Sequence, residues 1–180
     1  MKTSARVVVV GGGLGAKPIN QAIVEIAQQL LSKSSVVHVC GRNQYESLKD
    51  KVPGSPQYQL KPFVNERLAD YLAAADVLVT RAGASALAEA ASVGAATIII
   101  PNDKLVGGHQ TKNASVYADV GAAIVLSEDK FVNTSEVLLE TIIRLLDHVE
   151  LRESLSKKIR QLARPDAARQ VAELIVRAAR

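Results

Sequence analysis

A chain of 180 residues with 48% hydrophobic and 22% charged residues has the make-up of a globular domain, can bury about 70% of its unfolded surface, and is not disordered on composition. With no Trp, two Phe and four Tyr it lacks the aromatic faces of a base-stacking platform, so no nucleic-acid partner is expected; a lone Cys40 and three His exclude an intrachain disulfide and a cysteine-rich zinc site. The net charge of +4 is concentrated late: residues 151–180 hold eight Lys/Arg against three Asp/Glu, a face that can meet an anionic membrane surface or solvent alone.

Lys2 and Arg6 precede only Val7 to Val10, too short a run for a signal peptide, and no later apolar stretch has membrane-spanning length. A reducing, cytoplasmic setting is the expectation. Val7 to Val10 reads as a buried strand, and Ile19, Ala22, Ile23, Ile26, Ala27, Leu30 and Leu31 mark one face of a following helix. Val36 to Cys40 is the next strand, then a short helix near Gln44 to Lys51 and a weak strand at Tyr58 to Pro62. Asn65 can cap a helix running to Ala74. Strands follow at Asp76 to Thr80 and Thr97 to Ile100, with a helix from Ala86 to Val93 between them. A helix at Gln110 to Ala118 leads to a last strand, Ala122 to Leu126. Beyond Thr134 the period is wholly helical, with Pro165-Asp166 restarting a final helix.

Strands apolar on both faces and separated by helices predict a doubly wound, Rossmann-like α/β fold: a parallel sheet of about six strands, helices on both faces and a helical C-terminus over 134–180, the whole chain forming one domain. Ligands in such folds sit beyond the carboxyl ends of the strands. There Gly11-Gly12-Gly13-Leu14-Gly15-Ala16 leaves a strand and opens a helix, as a diphosphate cradle does, although a tight turn alone would also use glycine. The second strand ends in Cys40-Gly41-Arg42-Asn43, which offers no carboxylate for the ribose of NAD; Arg42 keeps an NADP-binding module as an alternative.

Thr80-Arg81-Ala82-Gly83-Ala84-Ser85 is a second glycine turn, with Ser85 a candidate N-cap. Between Arg81 and Asp103 the only ionisable side chain is Glu89. Helical side chains lean toward the N-terminus, so Glu89 can reach the Gly83 turn and accept both hydroxyls of a ribose, or simply stabilise the helix start. His109 and Gln110 begin a helix at the same sheet edge, where Gln has paired donor and acceptor atoms for sugar hydroxyls; spacing leaves their role open. No Asp-x-Asp pair is present to hold a metal ion, and no cofactor is expected.

Three segments, Gly11 to Ala16, Arg81 to Glu89 and His109-Gln110-Thr111-Lys112-Asn113-Ala114, together resemble the C-terminal, donor-binding half of GT-B glycosyltransferases of the MurG type, in that family's order and approximate spacing. The resemblance covers Arg6 to Ile175. It implies UDP-N-acetylglucosamine as donor, with the undecaprenyl-linked muramoyl-pentapeptide of peptidoglycan synthesis as acceptor. It implies that Gly12, Gly13, Leu14 and Gly15 face the UDP diphosphate and that Val64, after Phe63, pairs with uracil through its backbone. Gly83, Ala84, Ser85 and Ala86 would lie along the nucleotide and sugar, Glu89 would hold the ribose, and His109 and Gln110 would contact the N-acetylglucosamine hydroxyls. Gly13 stands where the family commonly has Ser, and Ala95-Ala96 replaces a pair usually ending in Pro. The resemblance also implies that the catalytic base and the acceptor site belong to an N-terminal domain absent from this chain. No base is therefore named, and the domain is expected to be inactive alone and peripheral to the cytoplasmic face of the membrane in a full-length protein. A catalytic subunit of a two-component UDP-sugar transferase is a further alternative.

Overall fold

The computed structural model describes residues 5–13, 15–104, 107–131 and 134–179. Six parallel strands form one sheet: β1 (Ala5–Val10), β2 (Ser34–Val39), β3 (Tyr58–Lys61), β4 (Val77–Arg81), β5 (Thr97–Ile100) and β6 (Ile124–Val125). Their order is β3-β2-β1-β4-β5-β6, so the chain reverses its direction of travel across the sheet between β1 and β4. Val10 is level with Val39 on one side and with Thr80 on the other, and Arg81 is level with Ile100. Four strand exits therefore open at one height.

The helices are α1 (Lys17–Glu25), α2 (Ala27–Leu31), α3 (Arg42–Leu48), α4 (Leu68–Ala73), α5 (Ala84–Val93), α6 (His109–Asp119), α7 (Glu136–Asp147), α8 (Val149–Arg160) and α9 (Ala167–Ala178), with a 3-10 turn at Glu128–Lys130. Because the strands are apolar on both faces, each face needs a cover. Val7, Val9, Val36, Val79 and Ile98 pack under Ile19, Ile23 and Leu30 of α1 and α2 and Leu138 and Ile142 of α7. Val8, Val37 and Leu78 pack under Leu72 of α4, Ala90 and Ala91 of α5 and Ile159 of α8. Burial of this kind contributes about 25 cal/mol per Å² of apolar surface.

Several predicted boundaries move. The apolar face from Ile19 to Leu30 is continuous, yet the backbone leaves helical dihedrals at Ile26 (φ −96°, ψ 4°), dividing one predicted helix into α1 and α2. Arg67, not Asn65, precedes α4, since the turn at 65–67 delays the helix. Ser85 is not the cap of α5: Gly83 holds that position in extended geometry, and Ser85 is already the second helical residue. The last strand contracts to Ile124–Val125, although the Leu126 amide still donates to the Ile99 carbonyl. Among the described residues no helix is long and apolar enough to cross a membrane.

Candidate functional site at the strand exits

The exits of β1 and β4 flank the point where the sheet changes direction, which leaves a crevice between their loops. On the β1 side the glycines divide by cause. Gly15 has φ +79°, and a Cβ there would lie 2.3 Å from the Cys40 carbonyl oxygen, so the fold itself demands glycine. Gly13 has neither a positive φ nor any atom within 4 Å of a built Cβ, and it is exposed. Leu14 lies outside the described residues.

On the β4 side Gly83 repeats the second case. Its φ is −71°, which any residue adopts, and a Cβ there would meet nothing within 4 Å. The first helical bond of α5 runs from the Leu87 amide to the Gly83 carbonyl. Hence the N–H groups of Ala84, Ser85 and Ala86 are the orphan donors of the helix start, and no side chain caps them. Uncapped donors and the positive end of the helix dipole thus lie beside Gly83, an arrangement suited to an anionic oxygen.

Glu89 sits on the second turn of α5, exposed and without a hydrogen-bond or ion-pair partner among the described residues, while Leu87, Ala90 and Ala91 on the same helix are buried. Val64 lies half-buried in the β3–α4 connection, and α4 packs on α5, so both belong to one side of the sheet. His109 is exposed at the start of α6, its ring against Gly107. Gln110 is partly committed: its Oε1 accepts the Asn102 amide at 2.9 Å, and its Nε2 makes no hydrogen bond among the described residues. Arg42, the residue behind the NADP alternative, stacks over the Phe63 ring with its guanidinium carbon 4.1 Å from the centroid.

The supporting side chains escaped the sequence reading. Arg81 is buried below the Gly83 turn, where Nη1 donates to the Ile100 and Pro101 carbonyls and Nη2 pairs with Glu128. Glu128 Oε1 is buried, and its partner among the described residues is the Arg81 guanidinium. Asn113 Nδ2 donates to the Ala82 carbonyl at 3.0 Å and ties α6 to the same turn. Asp103 accepts from Thr111 at 2.9 Å and from Ser127 at 3.2 Å. Under the other turn Asn20 and His38 are buried polar residues, and burial lowers the His38 pKa to about 4. A histidine in the apolar run Val36-Val37-His38-Val39 was the available signal.

Fold and strand exits together define an α/β domain of the Rossmann type. The sequence pattern of the glycosyltransferase family 28 C-terminal domain matches residues 6–171, and the chain belongs to that family. It is 34% identical over 170 residues, 94% of this chain and 47% of the relative, to the UDP-N-acetylglucosamine--N-acetylmuramyl-(pentapeptide) pyrophosphoryl-undecaprenol N-acetylglucosamine transferase of Gloeobacter violaceus. The enzyme of the same name from Acinetobacter baumannii strain AYE is 36% identical over 172 residues, 94% of this chain and 46% of the relative. A crystal structure of Acinetobacter baumannii MurG superposes with a TM-score of 0.83 at 31% identity, covering 98% of this chain and 51% of that one. The chain thus spans about half the length of the curated relatives it matches.

Proposed function

We propose that the chain is the donor-binding part of an inverting glycosyltransferase, taking UDP-N-acetylglucosamine and serving transfer of its sugar to an undecaprenyl-linked muramoyl-pentapeptide. One observation supports the donor half: at Gly13 and Gly83, on the exits of two adjacent strands, no described neighbour requires glycine, and beside Gly83 the first amides of α5 have no side-chain cap. A diphosphate is the group that would use such bare backbone. The names of the relatives supply the sugar and the acceptor.

In this reading the α5 amides bind the diphosphate and stabilise the charge that develops as UDP leaves the anomeric carbon. Gly12, Gly13 and Gly15 form the facing wall. Ala84 to Ala86 run along the nucleotide, Val64 meets uracil by its backbone, Glu89 accepts the two ribose hydroxyls, and His109 with the Gln110 Nε2 group meets the sugar hydroxyls. The attacking hydroxyl, its base and the lipid-linked acceptor belong to a companion region outside these residues, and the basic surface of α8 approaches the cytoplasmic face of an anionic membrane.

Calorimetric titration with UDP-N-acetylglucosamine, UDP, UDP-glucose and NADPH tests the proposal. Saturable binding of the uridine nucleotides and none of NADPH is expected; the opposite pattern removes it. Glu89→Ala is expected to weaken UDP binding by about tenfold, since it deletes hydrogen bonds to a charged acceptor, with an unchanged melting temperature because Glu89 is exposed and unpaired. Equal affinity would remove the ribose assignment.

A further inference from the structure

Behind the first glycine turn lies a chain of buried polar groups that donor binding leaves unexplained. His38 is fully buried between α1 and β3, with Nδ1 2.8 Å from the Tyr58 hydroxyl and Nε2 2.9 Å from Asn20 Oδ1. Asn20 Nδ2 in turn donates to the Cys40 carbonyl at 2.8 Å and to Gln44 Oε1 at 3.0 Å. A backbone carbonyl can only accept, so the Asn20 amide must present its NH₂ to Cys40 and its oxygen to His38. That orientation requires the imidazole proton on Nε2. Nδ1 is then an acceptor, filled by the Tyr58 hydroxyl. Every link points one way, from Tyr58 through His38 and Asn20 to the exit of β2.

The end of this chain matters because of what rests on it. Gly15 lies so close to the Cys40 carbonyl that a Cβ would be 2.3 Å from the oxygen, and the next residue, Gly41, has φ +89°. Glycine on one side of a peptide gives its plane freedom to turn. If the Cys40–Gly41 plane turned, its carbonyl would leave the underside of the first glycine turn, and the Asn20 amide is what prevents it. Apolar side chains would cost less to bury than Tyr58, His38 and Asn20, so their burial answers a demand for orientation rather than stability.

We propose that His38 is a positioning residue for the diphosphate-binding turn, its Nε2–H orienting the Asn20 amide that locks the Cys40–Gly41 peptide beneath Gly15. The ligand in this statement rests on the donor-binding reading; the tautomer does not.

The imidazole nitrogen spectrum of the labelled 180-residue chain tests the tautomer directly: protonated Nε2 is expected, and protonated Nδ1 overturns the proposal. Calorimetry with UDP and with uridine tests the consequence. His38→Leu is expected to weaken UDP by about tenfold with uridine affinity unchanged, and His38→Gln, whose amide can replace the Nε2–H donor, is expected to restore it. An equal loss for both ligands, or no loss, overturns the positioning role. Should His38→Leu fail to melt cooperatively, Tyr58→Phe decides by the same ratio: weakening confined to UDP supports the proposal and an unaltered ratio overturns it. Absence of UDP binding to the unaltered chain would instead sink the donor reading, a result read before any variant is made.

Discussion

The two turns that face the crevice are held by opposite means. Beneath Gly15 the support is neutral, running through Tyr58, His38 and Asn20 to the Cys40 carbonyl. Beneath Gly83 it is ionic, an Arg81–Glu128 pair with side chains only 11% and 10% exposed, and Arg81 also holds the Ile100 and Pro101 carbonyls. The neutral chain keeps charge away from a turn that packs against a backbone oxygen. The ionic pair joins three strand ends that share no hydrogen-bonded turn. Equivalent positions in one sheet can thus be made rigid by direction of donors or by charge, and the two respond differently to insult.

Arg81→Met should be the most damaging change on the ionic side, about 4 kcal/mol in urea denaturation, because it strands a buried carboxylate. Adding Glu128→Leu to it should regain most of that loss; no recovery would show that the carbonyl contacts of Arg81, not the charge pair, carry the support.

Acid should strike the neutral side. Burial lowers the His38 pKa from 6.5 to about 4, so between those values the unfolded chain takes up a proton that the folded one refuses. His38 therefore contributes stability present above pH 6.5 and lost as pH falls to 4, about 3 kcal/mol in total. Denaturation curves across this window should lose that slope in His38→Gln, and an unchanged slope would assign acid sensitivity elsewhere.

A further pair of variants separates the glycines, the second with the smallest expected effect on the fold. Gly15→Ala should cost about 3 kcal/mol, since φ is +79° and the Cβ meets backbone. Gly83→Ala, at φ −71° with free space, should leave the empty fold unchanged or stabilise it by about 0.5 kcal/mol, yet weaken UDP binding. Melting of both variants with and without UDP distinguishes a glycine kept for the fold from one kept for a ligand.

The strands and their parallel, doubly covered sheet were legible because the runs around Val7, Val36, Val77 and Thr97 are apolar on both faces, a pattern that only a sheet covered on both sides can bury. The places of the glycine turns at strand exits and of His109 and Gln110 at a helix start were legible too, while the roles proposed for them and for Glu89 await the titrations above. Boundaries were less so. Ser85 reads as a cap in sequence, but the geometry at Gly83 begins the helix two residues earlier, and the dihedral step at Ile26 leaves no mark on an unbroken apolar face. The roles of Asn20, His38, Arg81 and Glu128 were not legible, and pairs such as Arg81 and Glu128 are distant in the chain.

What the chain alone determined was its local chemistry: periodicity chooses helix or strand, and glycine marks the turns where backbone must be bare. Only the tertiary structure decided which glycines the fold needs and which it leaves unconstrained, and which buried polar atoms meet. Those outcomes depend on how close two distant segments come, and a polar group's cost or value inside a protein is set by the partner it finds there.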